Sequence, residues 1–139
     1  MPEVGARVRE RVEEILSVFE AELGRSRPGG TIRPSASRHS RVLATVQNLA
    51  DAIERGDLGP CFREAEWEGF RHGAAGQPAE GPLTEALALR RAVDRVLAAS
   101  LEGVPDQRRV IERSLDRMAV RVAAGFADGV RTRLRSGAE

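Results

Sequence analysis

The sequence predicts an all-α bundle of about five helices ending in one long helix. Apolar residues recur at spacings of three and four through most of the chain. Aromatic residues are scarce, with four Phe, one Trp and no Tyr. Sheets draw on aromatic and β-branched side chains, so this composition favours helices built on Ala, Leu, Val, Arg and Glu. No alternating strand pattern, internal repeat or low-complexity tract interrupts the helical periodicity. At 139 residues the chain is expected to form one helical domain over 1–139, with a loop at 25–37.

The first helix is expected from Glu3 to Gly24. Pro2 suits a helix start and Glu3 the positive end of the dipole. Val4, Val8, Val12, Ile15, Leu16, Val18, Phe19 and Leu23 span an arc of roughly 160° at 100° per residue. An arc that wide predicts contact with more than one neighbour, a second subunit among them. The stretch from Arg25 to Ser37 reads as a solvated, locally basic loop: Pro28-Gly29-Gly30 and Arg33-Pro34-Ser35 are turn chemistry. A second helix, Ala36 to Arg55, carries Val42, Leu43, Val46, Leu49, Ala50 and Ile53 and stops at Gly56. A third runs from Pro60 to Gly73. A fourth, Pro82 to Glu102, has Leu83, Leu87, Val93, Val96, Leu97 and Leu101 as its apolar positions. The last, Pro105 to Arg135, sets Ile111, Leu115, Met118, Val122, Phe126, Val130 and Leu134 on one face. Thirty residues make a rod of about 45 Å, longer than the usual globular helix. Five helices with short connections imply a compact bundle or a globin-like packing.

Composition narrows the function classes. All 22 basic residues are Arg, and 21 acidic residues offset them to a net charge of +1. No global field attracts a polyanion, and the arginines of the last two helices are interleaved with Asp94, Asp106, Glu112 and Asp116, so nucleic acid is not the expected partner. A single cysteine, Cys61, excludes an internal disulfide and an all-cysteine metal site. No apolar run approaches a membrane span, and Met-Pro-Glu-Val opens no secretory signal, so a cytoplasmic setting is expected.

Candidate chemistry is thin. His39 falls beside the basic loop. His72 is spaced i, i+4 from Glu68, with Glu64 one turn earlier, but a metal needs more ligands than this segment offers. His72 is the alternative haem ligand if the packing is globin-like. The residues around it are Arg71, Gly73, Ala74 and Ala75, a polar helix end, so no cofactor and no metal are expected. Cys61 stands near a helix start with no base placed beside it, and Ser100, Ser114 and Ser136 have no nucleophile elbow. The carboxylates Glu13, Glu14, Glu64, Glu66 and Glu68 alternate with Arg as on a solvated helix face. Gly125 and Gly129, four apart, let another helix approach closely, either within the chain or across a two-fold axis. The candidate dimer positions are Val8, Val12, Ile15 and Phe19 on the first helix and Val120, Ala124 and Ala127 on the last.

From Phe62 to Leu101 the chain reads Phe-Arg-Glu-Ala-Glu-Trp-Glu-Gly-Phe-Arg-His-Gly-Ala-Ala-Gly-Gln, a spacer, then Pro-Leu-Thr-Glu-Ala-Leu-Ala-Leu-Arg-Arg-Ala-Val-Asp-Arg-Val-Leu. This resembles the N-terminal sensor domains of stressosome-type RsbT co-antagonist proteins. In that family a helix ends in a small-residue turn, often Arg-His-Ala-x-x-Gly, and a Leu-rich helix with a central Arg pair follows. Arg71, His72 and Gly76 match the first part; Pro82, Leu83, Leu87, Arg90 and Arg91 match the second. Leu115, Asp116, Val122 and Phe126 look like the family's last helix. The resemblance covers the latter half of the chain and the first helices in outline. It implies a non-haem, globin-like domain that dimerises, has no enzymatic activity and relays an input through its C-terminal helix to an effector or partner protein. The input, an unknown small ligand among the options, stays open. The other readings are a haem- or ligand-binding globin-type sensor and a helical adaptor or anti-sigma-type interaction module.

Overall fold

The computed structural model describes residues 2–25 and 35–137, all-α throughout. It contains α1 (Pro2–Glu10), α2 (Val12–Arg25), α3 (Ala36–Arg55), α4 (Gly59–Ala74), α5 (Glu80–Leu97) and α6 (Pro105–Gly137). No strand occurs among the described residues. Most of the basic loop, with Arg27, Arg33 and the Pro28–Gly30 turn, lies outside them.

Most boundaries fall within two residues of expectation, and two differ by more. The first helix breaks at Arg11, whose N–H reaches both the Arg7 and Val8 carbonyls (3.1 and 3.2 Å). No Pro or Gly lies at the break. Tertiary packing accounts for it: α1 lies on α3 while α2 lies on α5, and one straight rod cannot do both. The wide apolar arc is thus consumed inside the chain. The fourth expected helix ends at Leu97 rather than Glu102, and residues 98–103 form successive turns that bury Leu101. The Arg7 guanidinium ties α1 to this segment through the Ser100 carbonyl.

Local chemistry explains both ends of α3. Ser35 Oγ accepts the Arg38 N–H at 3.1 Å and caps α3. At its far end Gly56, at φ 71°, sends the chain into a left-handed turn. Asp57 N then donates to Ala52 O at 3.0 Å.

Phe19, Ile15 and Leu23 of α2, with Val46, Leu49, Val93 and Leu97, are the most enclosed part of one continuous apolar core. Glu22 is buried at its edge, held by Arg25 (2.7 Å) and Arg95 (3.2 Å). The last helix is unbroken for 33 residues, about 50 Å at 1.5 Å per residue. Its apolar stripe is buried from Ile111 to Val122, Phe126 and Val130 are half-buried, and Leu134 is exposed. Residues 131–137 are exposed on every side of the rod.

The most intimate contact in the fold is between α4 and α6. Gly69 faces the Val122 carbonyl, Gly73 the Phe126 carbonyl, Gly125 the Glu66 carbonyl and Gly129 the Phe70 carbonyl. Residue numbers rise together on both helices, so the two run parallel, each contributing a Gly-x-x-x-Gly pair. A methyl group on Gly73 would lie 2.9 Å from Val130 N, and one on Gly129 2.7 Å from Ala74 N. Backbone meets backbone here, and the glycine C–H bonds point at the facing carbonyls, a weak hydrogen-bond geometry. The alternative left open for Gly125 and Gly129 is therefore resolved as packing within the chain.

Candidate functional site

Beside this helix pair lies a cleft of about 190 Å³ among α3, α4, α5 and α6, with Phe19 of α2 reaching its floor. The floor is apolar: Phe19, Val42, Leu89, Leu115, Met118 and Val122. The space exists because Ala65, Ala86 and Ala119 occupy facing positions on three helices, where larger side chains would fill it. Empty apolar volume forfeits dispersion contacts, and an enclosed apolar space of about 150 Å³ already holds a benzene-sized molecule.

The rim is polar. Arg41 of α3 reaches across to Glu85 of α5 through a two-pronged pair, Nη1 to Oε2 at 2.7 Å and Nη2 to Oε1 at 3.0 Å. Both side chains are partly shielded, which favours charge-assisted bonds of this kind. Glu85, and to a lesser degree Glu68, raise the Arg41 guanidinium above its already high pKa, partly countered by burial. Thr45 Oγ1 donates to the Arg41 carbonyl at 3.0 Å and steadies this turn of α3. On α4, Glu64 and Glu68 stand one turn apart along the edge. Glu68 pairs with Arg71; Glu64 has no ion pair among the described residues. Cys61 lies lower in the wall, its thiol directed at the Asn48 carbonyl at 3.7 Å. Burial, reinforced by the Glu64 carboxylate, pushes that thiol's pKa up, so it stays protonated at neutral pH.

Other candidate residues fall elsewhere. Neither histidine lines the cleft. His39 is exposed on the first turn of α3. His72 donates from Nδ1 to the Glu68 carbonyl of its own helix at 2.9 Å, with Glu68 Oε1 3.6 Å away. A haem on His72 would need a space beside that ring which the cleft does not provide. Among the described residues no three His, Cys, Asp or Glu side chains come together as metal ligands. Ser114 and Ser136 donate to carbonyls four residues back on their own helix, at 2.7 and 3.1 Å. The wall holds binding groups and one protonated thiol without a base.

The dimer candidates separate into two sets. Val8, Ile15 and Phe19 are buried in the chain's own core and present nothing to a second copy, and Val12 is half-buried against it. This corrects the expectation for the first helix: the apolar arc was broad because α3 and α5 share it. On α6, Val120 (66% exposed) and Ala124 face outward, and Ala127 is partly covered. Trp67 of α4, 59% exposed and stacked on Phe70 with ring centroids 5.7 Å apart, was not singled out from the sequence. The helical register of α4 turns it away from Gly69 and Gly73, a fact readable only once α6 is known to be their partner.

The chain matches no known family, no curated protein and no solved structure. No helix among the described residues is long and apolar enough to cross a membrane.

Proposed function

We propose that this chain is a non-enzymatic sensory or regulatory module. A small molecule occupies the α3–α6 cleft, and the α4–α6 pair carries the change to a partner protein or effector domain. The observation that carries this reading is the double duty of α6. Leu115, Met118 and Val122 line the cleft, and three residues on, Gly125 presses the same helix onto the α4 backbone. A ligand that displaces the cleft walls therefore acts on a helix whose last two turns are exposed and touch the body through the Arg133 side chain at Gly76. Its leverage equals its difference in affinity between two positions of that helix. The same reading includes a homodimer through the outward face of α6, near Val120 and Ala124. It agrees with the resemblance to the stressosome-type co-antagonist sensor domains, whose C-terminal helix is the output.

Filling the cleft from α5 tests the reading without touching either output helix. Ala86→Phe places a ring where a ligand would sit. Hydrogen exchange at residues 123–137 should change relative to the parent chain, while exchange in α1 stays as it was. Unaltered exchange along α6 in a folded variant refutes the relay. Light scattering at micromolar concentration reads the dimer, and a monomer there removes that element.

The observation favouring a helical adaptor instead is the exposed Trp67–Phe70 stack on α4. On that reading Trp67→Ala abolishes partner capture and filling the cleft has no effect.

A further inference from the structure

Resting on the reading of the cleft as a ligand site, we infer that its ligand is an uncharged, apolar molecule about the size of one substituted aromatic ring. Size follows from the cleft's volume, about 190 Å³, against the roughly 150 Å³ that admits benzene. The floor carries the chemical class. Phe19, Leu89, Leu115 and Val122 offer only hydrocarbon, and Met118 adds a thioether. Methionine suits a floor that receives a ring: its three rotatable bonds let it adapt, and its sulfur contacts aromatic rings favourably. A ring laid on this floor regains the dispersion contacts that empty space forfeits.

That the ligand carries no charge follows from an independent observation: the polar groups of the wall are already matched to one another. No buried side-chain nitrogen or oxygen among the described residues lacks a hydrogen-bond partner. Both prongs of the Arg41 guanidinium are held by Glu85. Thr45 Oγ1 donates to the Arg41 carbonyl, and the Cys61 thiol is directed at the Asn48 carbonyl. Glu68 is paired with Arg71, and Glu64 is exposed to water. A ligand carboxylate finds Arg41 engaged and would have to break its pair to be received. A ligand ammonium finds Glu68 and Glu85 engaged and Glu64 hydrated at the outer edge. Either ion would give up its own water over an apolar floor without a replacement. An uncharged ring enters without that cost and leaves every pair of the wall intact.

The test uses the full chain and three probes of closely matched shape: ethylbenzene, benzylammonium and benzoate. The chain has two methionines, Met1 and Met118, so isotope labelling of the methionine methyl groups gives a magnetic resonance signal from the cleft floor itself. Ethylbenzene should shift the Met118 signal saturably. Both charged probes should bind at least about tenfold more weakly, the least expected for an ion desolvated without a partner. Ala86→Phe from α5 and Ala119→Leu from α6 each fill the space and should abolish the response, and the second serves where the first does not fold. A charged probe that binds as tightly as ethylbenzene, the lack of a saturable response to ethylbenzene, or a response that survives in a folded, filled variant overturns the inference. A charged probe that moves Met118 where ethylbenzene does not also overturns it, yet leaves the cleft a ligand site of another class. Ethylbenzene that binds as expected but leaves hydrogen exchange at residues 123–137 unchanged supports the inference and counts against the relay alone.

Discussion

Replacing Gly125 with alanine puts a methyl group onto the Glu66 carbonyl of α4, with the carbonyl carbon 2.8 Å and the Cα 3.0 Å away. These are backbone atoms and cannot rotate aside. Ordinary carbon contacts begin near 3.5 Å, so the helices must separate by about 1 Å or more. That movement also loosens the contacts at Gly69, Gly73 and Gly129, because both rods are stiff. Alanine gains about 1 kcal/mol of helix propensity over glycine, whereas forcing a methyl into close packing costs about 1–3 kcal/mol, and the lost contacts along the seam add to the cost. The expected net is a destabilisation of about 1–3 kcal/mol, a fall of roughly 3–10 °C in Tm for a chain of this size. Gly81→Ala is the control: a methyl there meets nothing within 4 Å, so the propensity gain acts alone and Tm should rise slightly. Gly125→Ala with Gly129→Ala should cost less than the two singles added, since the helices part only once. Thermal and urea unfolding followed by helix ellipticity reads all four variants against the parent. If Gly125→Ala were as stable as the parent, or shifted upward as Gly81→Ala does, the tight parallel seam would be refuted.

Arg41→Leu leaves the shielded Glu85 without its partner and should cost about 1–3 kcal/mol in urea unfolding, with Arg41→Leu/Glu85→Leu recovering much of it. Met118→Ala enlarges the cleft floor and should cost about 2–3 kcal/mol in the same assay, near the low end for a core methionine because the space is partly open. Cys61 gives a pH dependence of known sign. Its folded pKa is raised above the unfolded value of 9.0, so the associated stability is complete below about pH 8.5 and is lost as pH rises through the folded value. Cys61→Ala should flatten that alkaline limb in a pH series of melts. For the same reason Cys61 should react with iodoacetamide at pH 7.5 far more slowly in the native chain than in urea.

Much of this architecture was legible from periodicity and punctuation. The α6 rod, the Ser35 and Gly56 ends of α3 and the all-helical composition follow from local rules. The break at Arg11 was not legible, because no breaker residue stands there; it arises from two different partners, α3 and α5, competing for one apolar arc. The turns after Leu97 escaped for a related reason, since Leu101 keeps the helical spacing although the chain has left the helix. The Gly125–Gly129 spacing was visible, but its counterpart in Gly69 and Gly73 meant nothing until α4 and α6 were known to run side by side. The cleft was hidden for a different reason. It is made of what is missing at Ala65, Ala86 and Ala119, and alanine is also the most ordinary helix former. Its rim residues, Glu64 and Glu68, were read as a solvated face; one flank of that face borders the cleft.

The glycine seam restricts how the terminal rod can travel. Drawing α6 back by one turn toward its N-terminus, about 5.4 Å, would bring Arg133 to the place Gly129 holds over the Phe70 carbonyl. Pushing it out by one turn toward its C-terminus would bring Arg121 to the place of Gly125 over Glu66. Either slip wedges an arginine stem between two main chains, so sliding is barred in both directions. The motions left to this helix are pivoting together with α4 and bending beyond Gly129, and a probe reading angle rather than displacement along the axis will see them.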